Sequence, residues 1–127
     1  MPKRPLVAIV DDDESIRETT KDLLESAGLA AATFASAALL LNSRRLNSIS
    51  CLVTDVRMPQ MSGLELHQHL VASNHAIPTI LITAYPDDRV RAQALKNNVV
   101  CYLAKPFAAE ELLACIRCAI TSAGSAE

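Results

Sequence analysis

Five short apolar runs, LVAIV (6–10), LAAATF (29–34), SCLVT (50–54), IPTILIT (77–83) and VVCYLA (99–104), alternate along the chain with segments of helical periodicity. This alternation restricts the fold more than any other feature. LVAIV is apolar at every position, as expected of a strand covered on both faces in a parallel sheet. Behind it, Ile16, Thr20, Leu23, Leu24 and Ala27 recur at helical spacing and form one apolar stripe, with Gly28 as the stop signal. Ser36 can cap a second helix reaching Asn42, and GLELHQHLVA (63–72) reads as a third. PDDRVRAQALKNN (86–98) is a weaker fourth, and AAEELLACIRCAIT (108–121) an amphipathic fifth. Five alternating units imply an α/β fold with one parallel sheet between helix layers, joined by right-handed crossovers.

At 127 residues, half of them apolar, the chain suffices for one core and leaves no room for a second domain. The domain is expected over 6–121, with 1–5 an N-terminal tail and 122–127 a C-terminal tail or the start of a linker. Twelve basic and 14 acidic residues are interspersed, for a formal charge of −2. That balance offers no basic field for direct nucleic-acid binding and no polybasic run for a membrane surface. The apolar run after MPKRP is too short for a signal-peptide core or a membrane span, so a cytoplasmic location is expected. Cys51, Cys101, Cys115 and Cys118 lie inside apolar runs without a disulfide-like spacing. Cys115 and Cys118 form a C-x-x-C, read as two core residues of the last helix rather than a redox or metal pair.

In an open parallel sheet the functional crevice lies outside the carboxyl ends of the strands. The first strand here ends at Asp11, Asp12 and Asp13, the third at Asp55, the fourth at Thr83, and the fifth just before Lys105. Clustered carboxylates repel one another unless a cation compensates. Oxygen ligands with no Cys or His beside them favour a hard cation such as Mg²⁺, with Mn²⁺ as the substitute. A lysine opposite them supplies a mobile charge for a phosphoryl oxygen, and the threonine a hydroxyl donor. Carboxylate nucleophile, metal, lysine and hydroxyl together suit phosphoryl transfer.

These stretches, VAIVDDD, CLVTDVRMPQMSGLEL, ILITAY and CYLAKPF, resemble in order and spacing the response regulator receiver domain of bacterial two-component signalling. The resemblance covers essentially the whole chain. It implies a flavodoxin-like, doubly wound, five-stranded sheet of order 2-1-3-4-5 with five helices in three layers. It implies Asp55 as phosphoacceptor, Asp11 and Asp12 as the acidic pair at the metal, and Thr83 and Lys105 as phosphoryl contacts. The backbone carbonyl of Arg57 would join the metal shell, a cis bond would precede Pro106, and Tyr102 would be a switching aromatic paired with Thr83. Arg57 and Tyr85, both large, would flank the path of an attacking water and tune the phosphoryl lifetime. Asp13 matches no metal position of the family; it or Ser15 caps the first helix. Asn98 stands where receivers often carry Gly, and Asn tolerates the left-handed conformation.

Other residues receive plainer readings. His67 and His69, two apart on a helix, point about 200° from one another and are read as surface or boundary side chains. Met58 and Met61 are read as packing, DDRVR as a solvated helix face, and Gly63 as a turn residue whose conformation a Cβ would oppose. Two functions follow. The favoured one is a phosphorylation-gated module, not an enzyme beyond its own phosphorylation and dephosphorylation. Its donor is a histidine kinase or phosphotransfer protein, and its output is a dimer or output domain on the fourth helix, fifth strand and last helix. MPQMSGLEL is similar to receivers joined to helix-turn-helix output domains. The alternative is a free-standing Mg²⁺-dependent phosphohydrolase with an aspartyl-phosphate intermediate, which would need a second acid and a cap; few acids are left over and no residues are spare for a cap.

Overall fold

In a computed structural model, which describes residues 5–125 and the backbone alone for 122–125, the chain forms one five-stranded parallel sheet flanked by helices. The elements run β1 (Leu6–Val10), α1 (Glu14–Ser26), β2 (Ala30–Phe34), α2 (Ala37–Leu41), a 3₁₀ turn (Leu46–Ser48), β3 (Cys51–Asp55), α3 (Gly63–Ala72), β4 (Thr79–Thr83), α4 (Asp88–Lys96), β5 (Cys101–Ala104) and α5 (Ala109–Ser125). The spatial order is β2-β1-β3-β4-β5, every pair parallel. Residues 1–4 of the expected N-terminal tail and 126–127 of the C-terminal one lie outside the described residues.

β1 and β4 are buried throughout, whereas the edge strands β2 and β5 are largely half-exposed. Alternate residues of β1 serve opposite layers. Leu6, Ala8 and Val10 pack toward Leu40 of α2 and Leu66 and Leu70 of α3, while Val7 and Ile9 pack toward Leu24 of α1 and Leu112 and Ile116 of α5. A third cluster joins Leu81 and Val56 to Leu64 of α3 and Ala94 of α4. A continuous apolar strand is what two such cores require.

The caps follow the local sequence. Asp13 accepts from the amides of Ser15 and Ile16, so it is Asp13 that starts α1. Ser62 and Glu65 form a reciprocal capping box on α3. Gly28, Asn74 and Asn98 each follow a helix with positive φ, Asn98 at 63°. β4 begins at Thr79 rather than Ile77, with Pro78 just before it. α5 continues to Ser125, beyond the helix expected over 108–121.

Three readings are corrected by packing. His67 is buried, its Nδ1 2.8 Å from the Thr79 hydroxyl and its Nε2 2.8 Å from the Asn97 carbonyl, because it shares the inward face of α3 with Leu66 and Leu70. His69, turned away, is exposed. Cys118 is also exposed: it lies two residues, about 200°, from the buried Ile116, and of the C-x-x-C pair Cys115 alone packs against the core. Gly63 does not adopt a positive φ; Gln60 takes that conformation in the MPQMSG turn, at 72°.

Gly63 is required by proximity. A Cβ there would collide with the backbone carbonyl oxygen of Asp55 and meet Thr54 Cγ2 at 3.0 Å. The Gly63 amide closes the loop by donating to the Val56 carbonyl at 2.9 Å. Gly63→Ala is expected to lower the unfolding free energy by about 1–3 kcal/mol through overpacking, despite the better helix propensity of Ala. Urea denaturation checks this, and a variant as stable as wild type would show that the junction yields freely.

Candidate functional site

The strand order reverses its winding between β1 and β3, so the carboxyl ends of these neighbours form a crevice. Asp11 follows β1 and Asp55 ends β3, on either side of it. Asp11, Asp12 and Asp55 each present a carboxylate oxygen within 4.8 Å of the other two. Asp11 is buried, Asp55 half-buried and Asp12 exposed. Lys105, just past β5, brings Nζ to 3.3 Å from Asp11 Oδ2 and 3.5 Å from Asp55 Oδ2. These two contacts are the ion pairs found among the described residues.

The supporting bonds hold each group in place. Asp11 Oδ1 accepts from the Asp13 amide at 2.9 Å, and Asp55 Oδ1 from the Arg57 amide at 3.4 Å. The Lys105 amide donates to the Thr83 carbonyl at 2.8 Å, joining the ends of β5 and β4, and the Lys105–Pro106 peptide is cis. Thr83 is buried, and its hydroxyl accepts from the Tyr85 amide at 3.0 Å. The Arg57 guanidinium stacks over the exposed Tyr85 ring, 4.7 Å from its centroid. Tyr102 is half-buried beside α4, and its hydroxyl accepts from the Asp87 amide at 3.1 Å. Met58 and Met61 pack against the core and stay clear of this chemistry.

Asp11, Asp12, Asp55 and Lys105 thus meet in one crevice, while Asp13 caps α1 and Thr83 ends β4 with its carbonyl on the Lys105 amide. The Arg57–Tyr85 stack had no local signal in the sequence, since the two residues lie on different loops and meet only because β3 and β4 are neighbours. The buried His67 was legible in principle, lying three residues after Leu64 and three before Leu70.

Comparison with known proteins defines the class. The response regulator receiver domain family matches residues 7–117, and the chain belongs to it. The response regulator protein TodT of Pseudomonas putida is 38% identical over 115 residues, covering 91% of this chain and 51% of TodT. The transcriptional regulatory protein FixJ of Azorhizobium caulinodans is 38% identical over 120 residues, covering 94% of this chain and 57% of FixJ. The receiver domain crystal structure from Clostridium thermocellum superposes with a TM-score of 0.89 at 27% identity, covering 97% of this chain and 99% of that one. The chain therefore spans little more than half the length of TodT and FixJ. It is a receiver domain of the kind found in two-component response regulators, a signalling module. Among the described residues, no helix is long and apolar enough to cross a membrane.

Burial is the largest influence on the Asp55 carboxyl and raises it above its ordinary value; Lys105 opposes the rise, Asp11 adds to it, and the Arg57 amide opposes it. A group that holds its proton more tightly in the folded state makes stability fall as pH rises from its ordinary value through its folded one. In metal-free buffer, Asp55→Asn is therefore expected to melt above wild type at neutral pH. The difference should shrink as pH falls below the ordinary carboxylate range. Thermal melts across pH check this, and an Asn variant less stable than wild type at neutral pH would contradict it.

Proposed function

We propose that the domain is a phosphorylation-gated switch in which Asp55 accepts a phosphoryl group from a histidine kinase or phosphotransfer protein. The observation that carries this reading is the placement of Asp55 in one crevice with two further carboxylates and a single ammonium 3.5 Å away. Three carboxylates and no softer ligand fit Mg²⁺ or Mn²⁺, held by Asp11, Asp12, Asp55 and the Arg57 backbone carbonyl. When bound, the ion supplies charge neutralisation and orientation for the phosphoryl oxygens. An Asp55 carboxylate oxygen forms the new bond to phosphorus while the donor's nitrogen–phosphorus bond breaks, the electron pair leaving with the imidazole nitrogen. Lys105 can turn from its carboxylates to a phosphoryl oxygen, and the Thr83 hydroxyl can donate to another.

Movement of the Thr83 hydroxyl would free space that Tyr102 can occupy, at the expense of the Tyr102 bond to the start of α4. Phosphorylation would thereby bias the surface of α4, β5 and α5, where a second copy or an output domain docks. On this reading the unit runs from residue 6 through the closing helix α5, acts in the cytoplasm, contacts no nucleic acid or membrane itself, and turns over nothing but its own acyl phosphate.

Incubation with Mg²⁺ and acetyl phosphate is expected to add about one phosphoryl group per chain, and Asp55→Asn none, because an amide is too weak a nucleophile to attack phosphorus. Intact-mass measurement reads both. Undiminished labelling of the Asn variant, or steady turnover of a phosphoester as a phosphohydrolase would show, overturns the reading.

The stack of Arg57 on Tyr85, beside Asp55 and Thr83 in the chain, supports a shielding role in which the two side chains would cover an approach of water to the crevice. After donor removal, Arg57→Ala/Tyr85→Ala should lose its phosphoryl group several-fold faster than wild type. Equal or slower decay, followed by the same mass measurement, would contradict shielding while leaving Asp55 as the acceptor.

A further inference from the structure

Arg17, in the first turn of α1, has no part in the roles given above. Its Nη1 donates to the backbone carbonyl of Asp11 at 2.7 Å, across the junction between β1 and α1. Among the described residues its guanidinium pairs with no carboxylate, although Asp11 and Asp12 of the acidic cluster lie within six residues of it. A cation that forgoes carboxylates for one carbonyl is spent on holding backbone.

The carbonyl it holds belongs to the peptide linking Asp11 to Asp12. Because that unit is planar, fixing the oxygen orients the Asp12 amide and Cα as well. Asp11 is gripped independently. Its amide donates to the Phe34 carbonyl at 3.2 Å, Oδ1 accepts from the Asp13 amide and Oδ2 faces Lys105. Asp12 is exposed, and its carboxylate takes part in none of the hydrogen bonds found among the described residues. Its place beside Asp11 and Asp55 therefore depends on the backbone beneath it.

We infer that Arg17 is a positioning residue for the cation site: by pinning the Asp11–Asp12 peptide it fixes the spacing of Asp12 from Asp11 and Asp55. This rests on the cation reading proposed above. Two effects of Arg17 oppose each other and can be told apart by sign. Its positive charge repels a divalent cation, so losing the charge alone would tighten binding. Losing the pin would weaken it.

The test is a Mg²⁺ titration of the whole chain at fixed ionic strength, followed by the thermal midpoint, for wild type, Arg17→Ala, Arg17→Lys and Asp12→Ala. The midpoint without Mg²⁺ reports fold stability separately from affinity. Arg17→Ala is expected to need about tenfold more Mg²⁺ for half its shift, the low end of what loss of an outer-shell partner costs. Arg17→Lys keeps the charge and one N–H, all that the single bond uses, and should recover most of that loss. Arg17→Ala binding as tightly as wild type or more tightly overturns the inference, as does a Lys variant no better than Ala. If wild type and Asp12→Ala respond alike to Mg²⁺, the cation reading itself fails and the inference falls with it. A weakened Asp12→Ala beside an unchanged Arg17→Ala overturns the role of Arg17 alone.

Discussion

The fold gathers like charges where it can least screen them. Three carboxylates within 4.8 Å of one another meet one ammonium, and two of the three are withdrawn from full solvent. Unit charges about 4 Å apart interact by roughly 4 kcal/mol at the effective dielectric of a protein surface, so the repulsion is comparable to a large part of a small domain's stability. Lys105 offsets some of it by standing between Asp11 and Asp55. The amino end of α1 offsets a little more, since the amide of its N-cap Asp13 donates to Asp11 Oδ1. An excess of negative charge remains, and an oxygen-ligated divalent ion is the simplest agent able to neutralise it.

The same crevice is mechanically tied to the surface. Asp55 ends β3 and its carbonyl abuts the first residue of α3, so the site and that helix cannot move independently. From α3, His67 reaches both Thr79 at the start of β4 and the carbonyl that ends α4. At the other end of α4, the amide of its N-cap Asp87 is satisfied by Tyr102 of β5. A helix held at both ends by side chains from neighbouring elements has few ways to shift. One of those ties is the aromatic expected to respond to Thr83. In α3 the corresponding N-cap amide is satisfied within the helix by Glu65; α4 has Val90 at that position and must borrow a partner.

Much of this was legible in the sequence because the chemistry sits at strand ends, where apolar runs stop at a polar residue. LVAIV followed by three aspartates, and CLVT followed by Asp55, marked both the sheet and its reactive edge. The helix stops at Gly28 and Asn98 were equally local. What escaped was tertiary. The spacing of His67 to Leu64 and Leu70 hints at an inward face, but the partners that let a polar ring be buried there lie 12 and 30 positions away. Gly63 suggests a turn, yet its requirement arises from the Asp55 carbonyl across a loop, and the positive φ falls to Gln60. Cys118 sits in an apolar-looking segment but faces outward, since the α5 stripe of Leu112, Ile116 and Ala119 already fills the interior.

The claim on which the account rests is that one divalent ion relieves the repulsion among Asp11, Asp12 and Asp55. Crystals grown with Mn²⁺ and recorded at an anomalous wavelength test it directly. The account predicts a single strong anomalous peak in the crevice, within coordination distance of Asp11 and Asp55 oxygens and of the Arg57 carbonyl. A saturated crystal with no peak there, or with manganese only at exposed acidic residues elsewhere, would contradict it.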